Sequence, residues 1–190
     1  PRMGLGYSIF GQIGLLEKCG VLNVDNKEIK NTLATLKNKD NYAESFAAKL
    51  KNKIPIIVAS EFLVGNSHIM ANQINENAKA FATYFELPEL NHHLMEGLKN
   101  PATNKKNLLF ILLNSNLYLP RNQKRYKILK NVLVKNKIRF VEYSTKSKTK
   151  FLQSFETLIF GSYLSFYLAM DYNLDPSPVP WVDFFKKQLG

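Results

Sequence analysis

The 190-residue chain has few of the residues on which several classes of protein depend. It contains one cysteine, Cys19, so no disulfide can form within it. Cys19 lies beside two leucines in an apolar helical pattern, where a buried structural thiol is expected. The only histidines are His68, His92 and His93, and no His/Cys cluster has the spacing of a zinc site. The sequence therefore argues against a disulfide scaffold and against a zinc-binding module.

Long hydrophobic runs are also absent. No apolar segment approaches the roughly 20 residues that a membrane-spanning helix needs, and we expect no signal peptide before the first helical pattern. There is no Gly-rich phosphate loop, because Gly4-Leu-Gly6 starts no strand-to-helix turn, and no nucleophile elbow marks a catalytic serine. The single cysteine is compatible with a reducing compartment. We expect a cytoplasmic protein with no membrane partner.

The composition is that of a globular domain with a full core, since hydrophobic residues make up 45% of the chain and aromatic residues 12%. The net charge of +11 raises the hypothesis of nucleic-acid binding. Basic residues occur in nearly every segment, and only the stretch 135–150 concentrates them, without the interleaved aromatic residues of a single-strand binder. We expect no nucleic-acid partner, whereas an anionic small substrate is compatible with the charge.

Apolar runs rich in β-branched residues alternate with helical patterns after residue 53. The runs predict three buried strands, at 54–60, 108–113 and 138–143. Helices are predicted over 4–22, 25–37, 41–51, 122–134, 150–170 and 181–189, with a central helix from about 68 to the break at Leu87-Pro88. This order predicts an α/β fold, a three-layer α/β/α sandwich with a mainly parallel sheet, after a helical lead-in over 1–52. The segments after Ser60 and Asn114 are expected near a site, because sites in such sheets lie beyond the carboxyl ends of the strands.

The central helical pattern carries an unusual polar cluster. Its inward stripe is predicted to consist of Met70, Ile74, Ala78 and Phe81. Asn72, Glu76 and Lys79 fall together on the opposite face. Asparagine is a poor helix former, so three asparagines around one glutamate indicate a site built for polar contacts. The ordinary alternative is a solvated helix face.

Two motifs carry a resemblance to a known family. Asn75-Glu-Asn-Ala-Lys79 is followed by Pro88-Glu-Leu-Asn-His92, and the chain ends with Asp175-Pro-Ser-Pro-Val before its last helix. With these motifs the chain resembles the bifunctional phosphoglucose/phosphomannose isomerases, specifically their C-terminal sugar-isomerase (SIS) domain. The resemblance implies that 53–190 is a SIS domain. Because the chain opens at Pro1 and not at a methionine, we expect it to be a fragment of a longer protein with two SIS domains.

The resemblance also implies roles for individual residues. Glu76 matches the family's base, which moves a proton between neighbouring carbons through an enediolate. His92 matches the group that opens the sugar ring, contributed across the interface of a homodimer. Arg2 matches the cation that offsets the oxyanion, and Lys186 is placed at the ring oxygen. The residues expected to bind the sugar-phosphate substrate are Asn75, Asn77, Lys79 and Asn91. No metal and no organic cofactor is expected, because this chemistry needs only a base and oxyanion stabilisation.

Several alternatives stay open at this point. His93 can take the role given to His92, and Lys187 the role given to Lys186. Arg2 can be a residue of a disordered tail, and Lys186 an ordinary lysine in the last turn of a helix. The function expected is interconversion of glucose-6-phosphate and mannose-6-phosphate with fructose-6-phosphate, with the isolated fragment inactive. The alternative function is a non-catalytic SIS module that binds a sugar phosphate for regulation or serves to dimerise.

Overall fold

The computed structural model describes residues 4–27, 29–30, 34 and 40–190, and the chain divides into two compact units, Pro1–Lys37 and Asn38–Gly190. In the first unit, helix α1 spans Leu5–Lys18 and ends before the predicted residue 22. Cys19 follows the last turn and is exposed, so the prediction of a buried thiol was wrong. The reason is that the helix has no buried face at all. The second predicted helix, over 25–37, lies largely outside the described residues.

The second unit alternates helices and strands. Its helices are α2 (Asp40–Leu50), α3 (Val64–Ala78), α4 (Leu94–Gly97), α5 (Asn104–Asn107), α6 (Pro120–Lys135), α7 (Lys150–Asp171) and α8 (Pro180–Leu189). Its strands are β1 (Ile54–Ser60), β2 (Thr83–Leu87), β3 (Leu108–Asn114) and β4 (Arg139–Ser144). Short 3-10 segments at Glu61–Leu63 and Glu89–Asn91 follow β1 and β2.

The four strands form one parallel sheet in the order β2-β1-β3-β4. The crossovers β1-α3-β2 and β3-α6-β4 run in opposite directions along this order, so right-handed connections place α3 and α6 on opposite faces. Helix α3 packs against α7, and α7 packs against α2, in one helical layer. The predicted three-layer α/β/α sandwich is confirmed.

One part of the secondary structure differs from the prediction. The central helix ends at Ala78, where Lys79 adopts a left-handed conformation with φ 53°, and strand β2 follows. Thr83 pairs with Ile56 and Leu87 with Ser60, so strand pairing replaces the predicted helical continuation. Phe81 was assigned to the buried stripe but is 69% exposed, because it lies in the turn between α3 and β2. The other three members of that stripe are buried as predicted.

The core lies on both sides of the two central strands. β1 and β3 are buried along nearly their whole length, as expected for continuous apolar runs in a parallel sheet. Helix α2 contributes Phe46, Ala47 and Leu50 to the same core. The boundary between the two compact units accordingly falls before α2. The division into a helical lead-in over 1–52 and a SIS domain over 53–190 stays a prediction. No helix within the described ranges is long and apolar enough to cross a membrane.

Candidate active site

Glu76 lies at the amino end of the sheet. β1 ends at Ser60, at the carboxyl end, and α3 runs back from there along one face to finish at Ala78, shortly before β2 begins. Residues 75–82, which we call the α3–β2 turn, therefore lie next to the amino end of β2. Glu76 is exposed on the last turn of the helix. This is the opposite end of the sheet from the one where the sequence predicted a site.

The side chain of Asn75 closes the α3–β2 turn. Its Nδ2 donates to the carbonyl oxygens of Ala71, at 2.9 Å, and Ala82, at 2.8 Å. Its Oδ1 accepts from the Ala82 N–H at 3.0 Å. One amide thus satisfies backbone groups on both sides of the turn, which matters because a helix end leaves such groups without partners. Its hydrogen bonds join the end of α3 to the start of β2.

Asn77 and Lys79 tie the same turn to the C-terminal part of the chain. Asn77 Nδ2 donates to Ser165 Oγ of α7 at 2.9 Å. The Lys79 ammonium donates to the carbonyl oxygen of Glu76 at 2.5 Å and to that of Pro176 at 3.3 Å. Both side chains also make interactions besides these. The turn that carries Glu76 is consequently held by a neighbouring helix and by the arm that leads into α8.

The C-terminal arm, residues 172–179, connects α7 to α8. Asp175 Oδ1 accepts from the Ser177 N–H at 2.8 Å, which forms a turn before α8. Lys186 and Lys187 both lie in the last turn of α8 and are both exposed, so the structure leaves the choice between them open. Arg2 lies outside the described residues.

The histidine motif lies at the other end of the sheet. The 3-10 segment Glu89–Asn91 follows the end of β2 and buries Leu90, while His92 and His93 are exposed. His93 Nε2 lies 3.4 Å from Glu89 Oε1, and Asn91 Nδ2 contacts Met95 Sδ at 3.7 Å. The five residues of β2 rise about 3.3 Å each, so roughly 13 Å of strand separates the α3–β2 turn from this segment. The structure therefore groups four of the predicted site residues, and it places Asn91 and His92 apart from them.

The carboxyl end of the sheet holds a polar network that the sequence reasoning missed. Its members are Ser115, Asn116, Thr145, Ser147 and Gln153, which we call the carboxyl-end network. Gln153 is fully buried, accepts from the Ser115 and Thr145 hydroxyls, and donates to Asn116 Oδ1 at 3.0 Å and the Ser147 carbonyl at 2.8 Å. Nearby, the buried Glu156 carboxylate accepts from the N–H groups of Lys146 and Ser147. Gln and Glu within the long apolar helix were the signal for these contacts.

In the segments after Ser60 and Asn114, where a site was expected, the polar groups form hydrogen bonds with one another. Glu61 Oε1 accepts from the Leu119 N–H and from Asn122 Nδ2, both at 2.8 Å. The Tyr118 hydroxyl donates to the Leu113 carbonyl at 3.1 Å and accepts from the Ser60 N–H at 3.3 Å. Burial raises the pKa of the Tyr118 phenol well above its ordinary value, so the hydroxyl stays protonated and acts as a fixed donor. These groups are engaged as structural partners.

The described ranges contain no group of three or more His, Cys, Asp or Glu side chains that could hold a metal ion. The titratable side chains of the α3–β2 turn are instead one carboxylate and one ammonium group. Side-chain hydrogen bonds fix the backbone of the turn that carries the carboxylate, and a carboxylate with a defined point of attachment suits proton transfer.

The fold and the motif on the α3–β2 turn define a sugar-isomerase domain. A structure described as a glucose-6-phosphate isomerase like protein from Thermus thermophilus superposes with a TM-score of 0.70 at 15% identity, over 91% of this chain and 59% of that one. The chain belongs to the family described as bacterial phospho-glucose isomerase C-terminal SIS domain, whose model matches residues 39–189.

Relatives of known sequence agree with this assignment. The bifunctional phosphoglucose/phosphomannose isomerase of Caldicellulosiruptor bescii is 30% identical over 207 residues, covering 100% of this chain and 60% of the relative. The enzyme of the same description from Aquifex aeolicus is 26% identical, covering 100% of this chain and 58% of the relative. The chain thus spans about three fifths of the length of these relatives.

Proposed function

We propose that this chain is the base-carrying part of an isomerase that interconverts glucose-6-phosphate and mannose-6-phosphate with fructose-6-phosphate. The observation that supports it most is the placement of Glu76, in a domain of this family, on a turn fixed by side-chain hydrogen bonds. The carboxylate takes a proton from the carbon next to the carbonyl of the open-chain sugar and returns it to the neighbouring carbon. The intermediate is an enediolate, and the protein binds the substrate without a metal or organic cofactor.

Opening of the sugar ring requires a second acid–base group besides Glu76. The positions of His92 and Glu76 indicate which subunit supplies that group. An acid or base must come within about 3 Å of the atom that it serves, whereas His92 lies beyond one end of β2 and Glu76 beyond the other. We therefore assign His92 to the site of a second copy, which makes the working protein a homodimer with shared sites. Lys186 acts at the ring oxygen, and Arg2 offsets the charge of the oxyanion. Asn77, Lys79 and Asn91 are assigned to substrate binding.

A coupled assay on the full-length protein that contains this chain tests the proposal. Fructose-6-phosphate is supplied, and glucose-6-phosphate and mannose-6-phosphate formation are followed separately for the wild type, Glu76→Gln and Glu86→Gln. Glu86 is an exposed glutamate on β2 and serves as the matched control. We expect turnover in the wild type and the control and its loss in Glu76→Gln, with substrate binding largely retained.

Two results would contradict the proposal. Absence of turnover in the wild type would favour a module that binds a sugar phosphate without converting it. Robust turnover by residues 1–190 alone would contradict the view that this part depends on the rest of the protein. The product ratio measured in the same assay gives the preference between glucose and mannose substrates.

A further inference from the structure

We infer that Asn75 is a positioning residue for Glu76, not a substrate ligand, an inference that rests on the proposed function. The family resemblance placed Asn75 among the residues expected to bind the substrate. In the structure its side chain makes three hydrogen bonds, all to the backbone of Ala71 and Ala82. The residue thus acts on the turn that carries Glu76.

The donor capacity of this amide is fully used within the protein. A side-chain amide has two N–H donors, and both donate to carbonyl oxygens at 2.9 Å and 2.8 Å. A substrate hydroxyl that accepted from Asn75 would have to break one of these bonds. Each replaced bond leaves a backbone carbonyl without its partner, which offsets what the new contact contributes.

The bonds of Asn75 span the place where the chain reverses. Ala71 is one helical turn before Asn75, whereas Ala82 immediately precedes β2. Between them Lys79 adopts the left-handed conformation that ends α3. Because Ala82 gives its N–H and its carbonyl oxygen to the same amide, the residue that leads into β2 is fixed relative to the last turn of the helix. Loss of Asn75 would remove the link between the last turn of α3, which carries Glu76, and the start of β2.

A second asparagine, Asn77, ties the turn to α7. Asn77 donates to Ser165 Oγ, and Ser165 in turn donates to the carbonyl oxygen of Ser162 within α7. Glu76 therefore lies between one residue that ties its turn to β2 and another that ties it to α7. A base is effective only if the reacting atoms are held in place, and a misplacement of about 1 Å can cost on the order of 100-fold in rate. The two flanking amides hold the backbone on either side of Glu76 and so define the point from which the carboxylate extends.

The test uses the full-length protein with Asn75→Ala, and Asn131→Ala as the matched control. Asn131 is an exposed asparagine within α6, a helix that carries none of the proposed site residues. We measure kcat and KM for fructose-6-phosphate, together with amide hydrogen exchange at Ala82. For a positioning residue we expect kcat to fall at least about tenfold with KM within about threefold, and faster exchange at Ala82. The control should change none of these quantities.

Two results would overturn the inference. A rise in KM with unchanged kcat and unchanged exchange at Ala82 would make Asn75 a substrate ligand, and no change in any quantity would remove its role. If Asn75→Ala does not fold, Asn75→Asp replaces it. That variant keeps an oxygen for the Ala82 N–H but turns a carboxylate toward two carbonyl oxygens, so it is expected to give the same split between kcat and KM.

The result also separates this inference from the proposed function. If the wild type has no turnover, the proposed function fails, and the positioning role fails with it. The exchange rate at Ala82 still reports whether Asn75 closes the turn, because that measurement needs no substrate. If Glu76→Gln abolishes turnover while Asn75→Ala leaves kcat unaffected, the proposed function stands and only the positioning role is overturned.

Discussion

The two ends of the parallel sheet differ in what their polar groups do. At the carboxyl end, Gln153 and Glu156 are buried and their partners are other protein groups. At the amino end, the α3–β2 turn fixes its backbone with Asn75 and leaves the Glu76 side chain exposed. Sites in parallel sheets usually lie at the carboxyl end. The comparison shows buried polar groups that serve as structural partners at the carboxyl end, and an exposed carboxylate, the proposed base, at the amino end.

The largest effect on activity is expected when two inactive variants are mixed. This experiment tests whether residues at the two ends of the sheet act together across subunits. Glu76→Gln and His92→Ala are each expected to be inactive in the full-length protein. If the ends meet only between copies, a mixed dimer has one intact site. Random exchange of subunits should restore about one quarter of the wild-type activity, because half of the dimers are mixed and half of their sites are intact.

Activity after denaturation and joint refolding of the two variants measures this. Each variant refolded alone is the control. A mixture that stays inactive, while the wild type refolds to full activity, would place both residues in one subunit or deny one of them a role.

The substitution Gln153→Leu is expected to have the next largest effect. It tests how much the carboxyl-end network contributes to stability. The substitution leaves the hydroxyls of Ser115 and Thr145 and the oxygen of Asn116 without their buried partner. Since an unsatisfied buried polar group costs about 1–3 kcal/mol, we expect a loss of roughly 3 kcal/mol or more in the free energy of unfolding. Urea denaturation measures it, with Gln188→Leu on the exposed face of α8 as control. A loss no larger than that of the control would show that the network contributes little.

Tyr118→Phe gives a smaller effect with a defined pH dependence. The variant loses its bond to the Leu113 carbonyl and leaves the Ser60 N–H without a partner, so at pH 7 we expect a loss of about 1–2 kcal/mol. Burial raises the pKa of Tyr118, so the wild-type contribution is present below pH 10 and is lost as pH rises above it, where the unfolded chain releases its proton first.

The difference between the wild type and Tyr118→Phe should therefore narrow above pH 10. Urea denaturation at pH 7 to 11 follows it. A difference that widens at alkaline pH would contradict the assigned direction of the pKa shift.

The smallest effect on stability is expected from replacing two lysines whose backbone is in the left-handed conformation. Lys79 and Lys137 have φ values of 53° and 59°, and the left-handed region costs a non-glycine residue about 1 kcal/mol. Lys137→Gly should therefore raise the free energy of unfolding by up to that amount. Lys79→Gly should give less, because it also removes the ammonium contacts to Glu76 and Pro176. Thermal denaturation compares them, and equal gains would mean that those contacts contribute nothing.

Much of the fold could be predicted from hydrophobic pattern alone. β1, β3 and β4 are short β-branched or apolar runs, and the structure confirms all three. β2 was missed because the end of α3 carries no glycine or proline signal. The helix stops at Lys79, a residue that favours helix by propensity, and pairing of Thr83–Leu87 with β1 decides the local structure. A tertiary interaction overrides the local pattern at this point.

Less of the candidate site than of the fold could be predicted from the sequence. Glu76 could be identified from its motif, and its exposure on the last turn of α3 agrees with a polar face. The contacts of Asn75 could not be predicted, because Ala82 becomes its partner only once the helix ends and the strand begins. The separation of His92 from Glu76 likewise follows from β2, a strand that the sequence pattern did not predict.

The contact between the Lys79 ammonium and the Pro176 carbonyl has a practical meaning for anyone who trims this protein. It joins two residues that are 97 positions apart in the chain. A chain shortened after Asp171 would keep every strand of the sheet but lose one of the acceptors that hold the turn beneath Glu76. A protein prepared to test the proposed role of Glu76 should therefore extend to Gly190, so that the contact between Lys79 and Pro176 is kept.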